Sequence, residues 1–247
     1  MLLNTHGIVL HTVDYSETSV VAKIFTRQLG ERSYLVKGVN KARSRTKRNL
    51  LQPLSYLNMT VYENNRRQLQ YIKEMQPARH LTDCATDSVK TSILFFMNEV
   101  LYKTIKEEEP NPQLFDYVVQ QMEHLNATVE PLGNYPIIFL LRLTRYLGIE
   151  PRNNYSRMEP CFHLRDGCFL SPPTHWTNPC ERDYYLEESI SAVLHHFQNA
   201  ARNDVPYPVL GVEKRRALTD LLVKYYRIHL PDFPPLKSTE ILHTVLN

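Results

Sequence analysis

The most concentrated charge in the sequence is a basic run between residues 37 and 48. Half of its twelve residues are lysine or arginine and none is acidic: Lys37, Lys41, Arg43, Arg45, Lys47 and Arg48. Since the run lies between two predicted strands, we expect a loop. Cations without neighbouring acids suit a phosphate backbone, because they release the counterions condensed on nucleic acid. Arg66 and Arg67 stand at the beginning of the fifth predicted strand and extend this candidate DNA-binding site.

Tyrosines on the predicted strands add a second kind of contact. Some of them could offer ring faces on which bases stack; the candidates are Tyr34, Tyr56, Tyr62 and Tyr71. The alternative is a solvated basic loop with tyrosines in the core. The combination of a basic loop with a small barrel favours nucleic-acid binding.

Two arginines interrupt an otherwise apolar segment that is predicted to be a helix. Arg142 and Arg145 are the only charged residues between Ile137 and Leu147. Apolar surface beside a guanidinium suits a peptide that ends in hydrophobic residues and a carboxylate. The alternative is that both are ordinary arginines at the edge of the core.

Cysteine and histidine cluster between residues 161 and 180. A structural zinc site uses thiolate and imidazole ligands, usually from paired CxxC knuckles, and the sequence has no CxxC. We predict instead a hairpin with its turn at Asp166–Gly167. Its thiols, Cys161 and Cys168, and the later Cys180 are then buried or partly exposed groups without zinc.

No catalytic constellation is visible. The sequence has 7 glycines and lacks GxGxxG, GxxxxGK[ST], GxSxG and HExxH, which removes the Rossmann, P-loop, hydrolase and zincin classes. Glu107–Glu109 is interpreted as a solvated helix end. We therefore expect no enzyme and no cofactor. A metal-dependent nuclease and a pure protein-interaction scaffold are the alternatives.

The elements that position these residues fall into two groups. Five runs rich in β-branched and aromatic residues predict strands near 8–10, 20–25, 33–36, 54–62 and 68–75. A small closed barrel, of the OB or SH3-like kind, follows from so many short strands without a long helix between them. After Pro77 the apolar period changes to three and four, which predicts helices. They lie near 89–105, 114–125, 136–147, 185–201, 212–229 and 238–246, with Thr82 or Asp83 capping the first.

The predicted fold is therefore α+β: a small β-barrel over residues 1–79, then an all-helical domain over 80–247 with an irregular insertion at 152–182. The composition, 43% hydrophobic and 22% charged, is that of a globular chain. We see no membrane span and no signal peptide at Met1-Leu2-Leu3-Asn4. Four cysteines in 247 residues favour a reducing, cytoplasmic setting. A net charge of +3 says little about partners.

Several motifs together resemble the RecO family of bacterial recombination mediators. The opening of the chain, from His6-Gly-Ile-Val-Leu to Ser16-Glu17, is similar to the family's start. Phe25-Thr26 with Gly30 is similar to its second element. The most specific match is Val36-Lys37-Gly38, then the basic stretch and Leu51-Gln52-Pro53-Leu54. Phe139 to Pro151 and the tail Leu236 to Leu242 extend the resemblance over essentially the whole chain.

This resemblance implies an N-terminal OB-fold and a C-terminal helical domain in a non-enzymatic protein of DNA repair and recombination. Members bind single- and double-stranded DNA and anneal complementary strands. With RecR they help to load RecA onto DNA coated by single-strand DNA-binding protein (SSB), whose C-terminal tail contacts the helical domain. The resemblance also implies a cytoplasmic, nucleoid-associated protein. Many members carry a four-cysteine zinc finger in the insertion, but this sequence lacks both CxxC pairs.

Overall fold

Five strands close into a barrel at the start of the chain. The computed structural model describes residues 1–39, 45–64, 68–173, 178–203 and 205–246, leaving aside the side chains of residues 45, 46 and 179. The strands are β1 (Leu2–Ser16), β2 (Ser19–Thr26), β3 (Gly30–Lys37), β4 (Tyr56–Tyr62) and β5 (Leu69–Pro77).

The strand order around the barrel is β1-β2-β3-β5-β4, and β4 pairs back with β1. All neighbouring pairs are antiparallel except β3 and β5, which run parallel. A closed five-stranded barrel with this order is an OB-fold. The predicted small barrel is confirmed.

Alternation along the strands fills the interior with apolar side chains. Val9, Ile24, Tyr34, Leu57 and Val61 are almost fully enclosed there. β1 is much longer than the predicted segment 8–10, because it pairs with β4 through residues 2–8 and with β2 through residues 7–16. The sequence pattern does not predict this length, because polar residues interrupt the apolar run on both sides of residues 8–10.

The basic run is a helix in part, so the expectation of a loop is wrong for residues 45–50. Here α1 (Arg45–Leu50) lies between β3 and β4. Leu51, directly after it, is buried in the barrel core, and Leu50 packs against the same core. These two leucines anchor the turn, and its polar side leaves Lys47 and Arg48 exposed.

Three helices follow the barrel within the first compact unit, residues 1–129. They are α2 (Thr82–Thr86), α3 (Ser88–Thr104) and α4 (Pro112–Ala127). The expected cap of the long helix at Thr82 or Asp83 is wrong, because those residues form the separate α2. Asp87 caps α3 instead, and its carboxylate accepts hydrogen bonds from the backbone N–H groups of Val89 at 2.8 Å and Lys90 at 3.1 Å.

Helices α3 and α4 pack on the outside of the barrel. On α3, the side-chain amide of Asn98 donates to the Leu10 carbonyl at 3.1 Å. On α4, Phe115 lies with its ring centre 5.4 Å from that of Phe25. The guanidinium of Arg27 donates twice to Asp116, which lowers the pKa of that carboxyl. The compact unit therefore extends to residue 129, and the predicted domain boundary after residue 79 stays a prediction.

The second compact unit, residues 130–247, is mainly helical. It contains α5 (Tyr135–Tyr146), α6 (Glu188–Asn203), α7 (Val212–His229) and α8 (Ser238–Val245), close to the predicted ranges. Short 3₁₀ turns span Leu132–Asn134 and Pro179–Tyr184. The insertion carries the hairpin of β6 (Cys161–His163) and β7 (Cys168–Leu170), as predicted.

The core of this unit joins α5 to α7. The Tyr226 hydroxyl donates to the Leu140 carbonyl at 2.8 Å, and the Tyr225 hydroxyl donates to the Ile149 carbonyl at 2.8 Å. The α+β class, a barrel followed by a helical region, is confirmed. None of the helices in the described ranges is long and apolar enough to cross a membrane.

We expect Phe115→Ala to destabilise the first unit by about 3–5 kcal/mol, the usual loss for a fully buried phenylalanine. The ring is 0% exposed and contacts both Phe25 and Tyr56. Urea unfolding followed by circular dichroism measures the change. Gln120→Ala, on the exposed side of α4, is the control and should shift stability by less than about 0.5 kcal/mol. Equal stability of the two variants would contradict the packing of α4 on the barrel.

Candidate nucleic-acid interface

The described part of the basic run presents three exposed cations. Lys37 ends β3, and Lys47 and Arg48 lie on α1. The other predicted DNA-binding residues lie outside the described residues: Lys41, Arg43, Arg66 and Arg67, together with the side chain of Arg45. For all eight, a DNA contact stays a prediction.

The three exposed cations differ from other cations of the barrel in their surroundings. Lys23 Nζ lies 3.6 Å from the Glu31 carboxylate. Arg32 lies 3.9 Å from Glu63 and 3.4 Å from Glu108. Lys37, Lys47 and Arg48, by contrast, form no ion pair with any carboxylate in the described ranges. Their charge is therefore available to an external anion.

The four candidate tyrosines differ in exposure: Tyr34 is enclosed, Tyr56 and Tyr71 are half-buried, and Tyr62 is exposed. Tyr34 is 0% exposed in the barrel core, and burial raises its pKa, so it offers no face to a base. Tyr56 packs against Phe115, and its hydroxyl lies 2.9 Å from His6 Nδ1. Tyr62 is 50% exposed. It pairs directly with the half-buried Tyr71 across β4 and β5.

Lys37 joins this tyrosine pair to the cations. Its ammonium lies 5.7 Å from the ring centre of Tyr71, within the distance of a cation–π contact. The contact arises because parallel pairing places β3 beside β5, with Leu35 opposite Tyr71. Two aromatic rings and an unpaired cation thus share one patch, the combination that single-strand binding surfaces use.

The two arginines proposed for peptide binding lie on α5 in the second unit. Arg142 is half-buried, and its guanidinium lies 5.8 Å from the Tyr207 ring centre. Arg145 is exposed in the last turn. The apolar side chains expected to form a groove around them are themselves core, since Ile137 and Leu140 are 0% exposed. Nearby apolar surface comes instead from Val209, which is 99% exposed and two residues beyond Tyr207.

The insertion does not fit the zinc finger that the resemblance implies. Cys161 and Cys168 are buried on the hairpin, where burial raises the pKa of each thiol and disfavours the thiolate that zinc requires. Cys180 is exposed. His163 is already bonded, with Nδ1 2.7 Å from the Asp166 carboxylate. Cys84 is buried at α2, and burial raises its pKa to about 11.

Two other groups of side chains able to carry chemistry are the acidic run Glu107–Glu109 and the pair His195–His196. Glu108 pairs with Arg32, and the Glu107 carbonyl accepts from the Glu31 N–H at 2.9 Å. His195 is half-buried, with Nδ1 2.7 Å from the Asn153 amide oxygen, and burial lowers its pKa. His196 is exposed.

Sequence reasoning missed a set of polar side chains on the outward face of β1, β4 and β5. They line a cavity of about 600 Å³. No motif marks them, but they alternate with buried residues along β1 and β4. Period-two alternation was therefore the available signal. The set consists of six residues: Asn4, His6, Asn58, Thr60, Glu74 and Gln76.

Comparison with known proteins gives consistent matches over the whole chain. A family model described as "Recombination protein O N terminal" matches residues 1–81, and one described as "Recombination protein O C terminal" matches residues 85–240. A protein of Phocaeicola vulgatus named "DNA repair protein RecO" is 32% identical over 242 residues, 98% of each chain. Proteins of the same name from Porphyromonas gingivalis and Azobacteroides pseudotrichonymphae are 31% and 27% identical, each over 100% of both chains.

The purified protein should contain well under one zinc ion per chain, because burial raises the pKa of its two hairpin thiols and the sequence has no CxxC pair. Elemental analysis measures the content, and a chelator should leave the Tm unchanged. Stoichiometric zinc that disappears on replacing Cys161 and Cys168 would contradict this expectation.

Proposed function

The chain belongs to the RecO family of DNA repair proteins, and on this basis we propose that it is a non-enzymatic recombination mediator. It binds single- and double-stranded DNA and anneals complementary strands. With RecR it promotes the loading of RecA onto DNA coated by SSB. These activities take place in the cytoplasm, on the DNA of the nucleoid.

The observation that carries the DNA-binding proposal is a set of exposed cations without carboxylate partners, one of which, Lys37, lies beside the outward Tyr71. Lys37, Lys47 and Arg48 have no carboxylate partner among the described residues, so binding DNA does not require an existing ion pair to break. Each phosphate they neutralise releases condensed counterions, which is a favourable, sequence-independent contribution. Because phosphates are common to both forms of DNA, these contacts serve single strands and duplexes alike.

The tyrosines add a contribution that single strands receive preferentially. Bases in a duplex are stacked on each other, whereas those of a single strand can lie on an aromatic face. Tyr62 and Tyr71 present such faces next to Lys37. Stacking is tolerant of sequence, since every base has a π-face. A mediator that handles arbitrary strands needs this tolerance.

Annealing requires no bond to be made or broken by the protein. Two strands repel each other through their phosphates, and a basic surface that holds both lowers this repulsion. The bases must also stay free to pair. Cations at the edge of the barrel, on Lys37 and α1, can hold the phosphates of one strand while its base edges remain available to the other.

The proposed partner in the second unit is the acidic C-terminal tail of SSB. Such a tail ends in apolar residues and a free carboxylate. Arg142 can pair with the carboxylate, and its partial burial strengthens a charge-assisted hydrogen bond. The Tyr207 ring lies beside it, and the exposed Val209, two residues further along the chain, offers apolar surface. Arg145, fully in solvent, contributes a weaker attraction to the acidic part of the tail.

Reversing the basic run tests the DNA-binding proposal. Changing Lys41, Arg43, Arg45, Lys47 and Arg48 together to glutamate should abolish binding while the fold is retained, because the described cations are exposed. The milder Lys47→Glu/Arg48→Glu should lower the slope of log K against log salt by about 1–2, since each lost phosphate contact removes ~0.9. Fluorescence anisotropy with single- and double-stranded oligonucleotides measures both effects.

A matched control carries the same change in net charge at other exposed sites. Lys106→Glu/Arg157→Glu reverses two exposed cations outside the basic run and should leave the salt slope near that of the unmodified protein. If both double variants weakened binding equally, the effect would come from net charge and the assigned DNA path would be wrong.

Arg142→Glu should weaken binding of a peptide with the acidic, apolar-ended tail sequence by about 1.5–3 kcal/mol, the range for a hydrogen bond to a charged group. Arg145→Glu, three residues away and exposed, should cost less than ~1 kcal/mol. Isothermal titration calorimetry measures both, and DNA affinity should stay nearly constant. Unchanged peptide affinity in both variants would move the tail site away from α5.

A further inference from the structure

The outward face of the barrel continues beyond the tyrosine pair as two rows of polar side chains. Strand register places His6, Asn58 and Gln76 side by side on β1, β4 and β5. The neighbouring row is Asn4, Thr60 and Glu74 on the same strands. All six line the cavity of about 600 Å³.

These two rows lie on the same outward face of the barrel as Tyr62 and Tyr71. The next pair along the same face of β4 and β5 is Tyr62 with Tyr71. Each step of two residues along a strand is about 7 Å. The face therefore runs from Lys37 over the Tyr71 and Tyr62 rings to the row of Asn4 and then to the row of Asn58.

Several polar atoms of this surface are held in place by internal hydrogen bonds. The Thr60 hydroxyl donates to Oδ1 of the exposed Asn4 at 2.9 Å, which leaves the amide nitrogen of Asn4 available to a ligand. His6 Nδ1 lies 2.9 Å from the Tyr56 hydroxyl, so its other ring nitrogen remains available.

The central two amides have no such partner. Asn58 and Gln76 lie opposite each other across β4 and β5. The side-chain amide of neither residue is hydrogen-bonded to another residue in the described ranges. Each amide offers a donor and an acceptor. Side by side in a concavity, they form a neutral recognition surface that water alone satisfies in the free protein.

The charge of the cavity selects against phosphate. Its lining contains one carboxylate, Glu74, and no lysine or arginine. Lys73 Nζ, 4.0 Å from the Glu74 carboxylate, does not line the cavity. A phosphate inside it would therefore meet a carboxylate and no cation. A neutral, flat group with hydrogen-bonding edges suits it instead. Asparagine and glutamine amides bind base edges in a bidentate manner, and a carboxylate accepts from an exocyclic amino group.

We propose that Asn58 and Gln76 form a base-edge subsite for single-stranded DNA. The strand keeps its phosphates near Lys37 and α1, stacks a base on Tyr71 and Tyr62, and lays the following base edges on the two amides. This subsite rests on the proposed function, because it presupposes that the barrel binds DNA. It deepens that function, since amides that bind the Watson–Crick edges contact atoms that only an unpaired strand exposes.

The test is a double-mutant cycle between the protein and the strand. Asn58→Ala/Gln76→Ala is titrated by fluorescence anisotropy with a single-stranded oligonucleotide and with a strand of equal length built from abasic spacers. The two strands share their phosphates and differ in their bases. The variant should bind the base-bearing strand about tenfold more weakly, as two lost neutral hydrogen bonds would produce. Its affinity for the abasic strand and for duplex should stay within about twofold, and its salt slope should be unchanged.

The control is Gln113→Ala/Gln120→Ala, which removes two exposed amides from α4 and should bind every strand like the unmodified protein. Thermal melting verifies that both variants fold. The subsite is refuted if Asn58→Ala/Gln76→Ala binds the base-bearing strand normally, or loses the abasic strand to the same extent. A protein that binds no DNA before any substitution refutes the proposed function and the subsite with it, so the two failures are distinguishable.

Discussion

The parallel pairing of β3 with β5 is the contact on which the candidate interface depends. Three residue pairs form it, from Ser33 opposite Leu69 to Leu35 opposite Tyr71. They close the sheet, so that no edge strand is left open to pair with another chain. The same register decides which side chains face outward. A slip of one residue in β5 would turn Tyr71 inward and separate it from both Lys37 and Tyr62.

Packing of the helices determines which part of the barrel stays open. Tyr102 of α3 lies against His11, with ring centres 4.6 Å apart, and so covers part of β1 and β2. Phe115 of α4 covers Phe25 and Tyr56. The outward surfaces that remain include the end of β3 and the faces of β4 and β5. Lys37, the tyrosine pair and the amide rows lie on these surfaces, which ties this part of the proposed DNA path to the placement of two helices.

The local sequence pattern is sufficient to predict most of the helices and strands, but it does not predict which side chains of a strand face the core. The three-and-four period placed α4, α5 and α7 nearly correctly, because a long amphipathic stripe has one interpretation. The run Ser33-Tyr34-Leu35-Val36 predicts a strand, but consecutive apolar residues do not reveal that Tyr34 faces inward. That information lies in the pairing with β2 and β5, which is non-local. The neighbourhood of Tyr62 and Tyr71 depends equally on pairing, including a bulge between Thr60 and Val61.

Prediction of the candidate site residues is limited for a further reason. The chemical type of a side chain predicts a contact only when the exposure of that side chain is known. The basic run was found from composition alone, since charge must stay in water whichever way the backbone turns. The apolar residues around Arg142 predict a binding groove from the sequence, yet Ile137 and Leu140 belong to the core of the second unit. The amide rows went unnoticed because neutral polar residues on a strand carry no compositional signal.

Two kinds of contact with different physical behaviour follow from this arrangement. On the proposed function, DNA binding through Lys37, Lys47 and Arg48 should weaken as salt rises, whereas stacking and amide contacts should be nearly insensitive to it. A surface of few unpaired cations holds any DNA reversibly, which a protein that passes strands to a partner requires. Base contacts then favour the unpaired strand over the duplex. On the proposed function, these contacts should be lost once two strands anneal and their bases pair, so the annealed product should be held less tightly than the single strands that formed it.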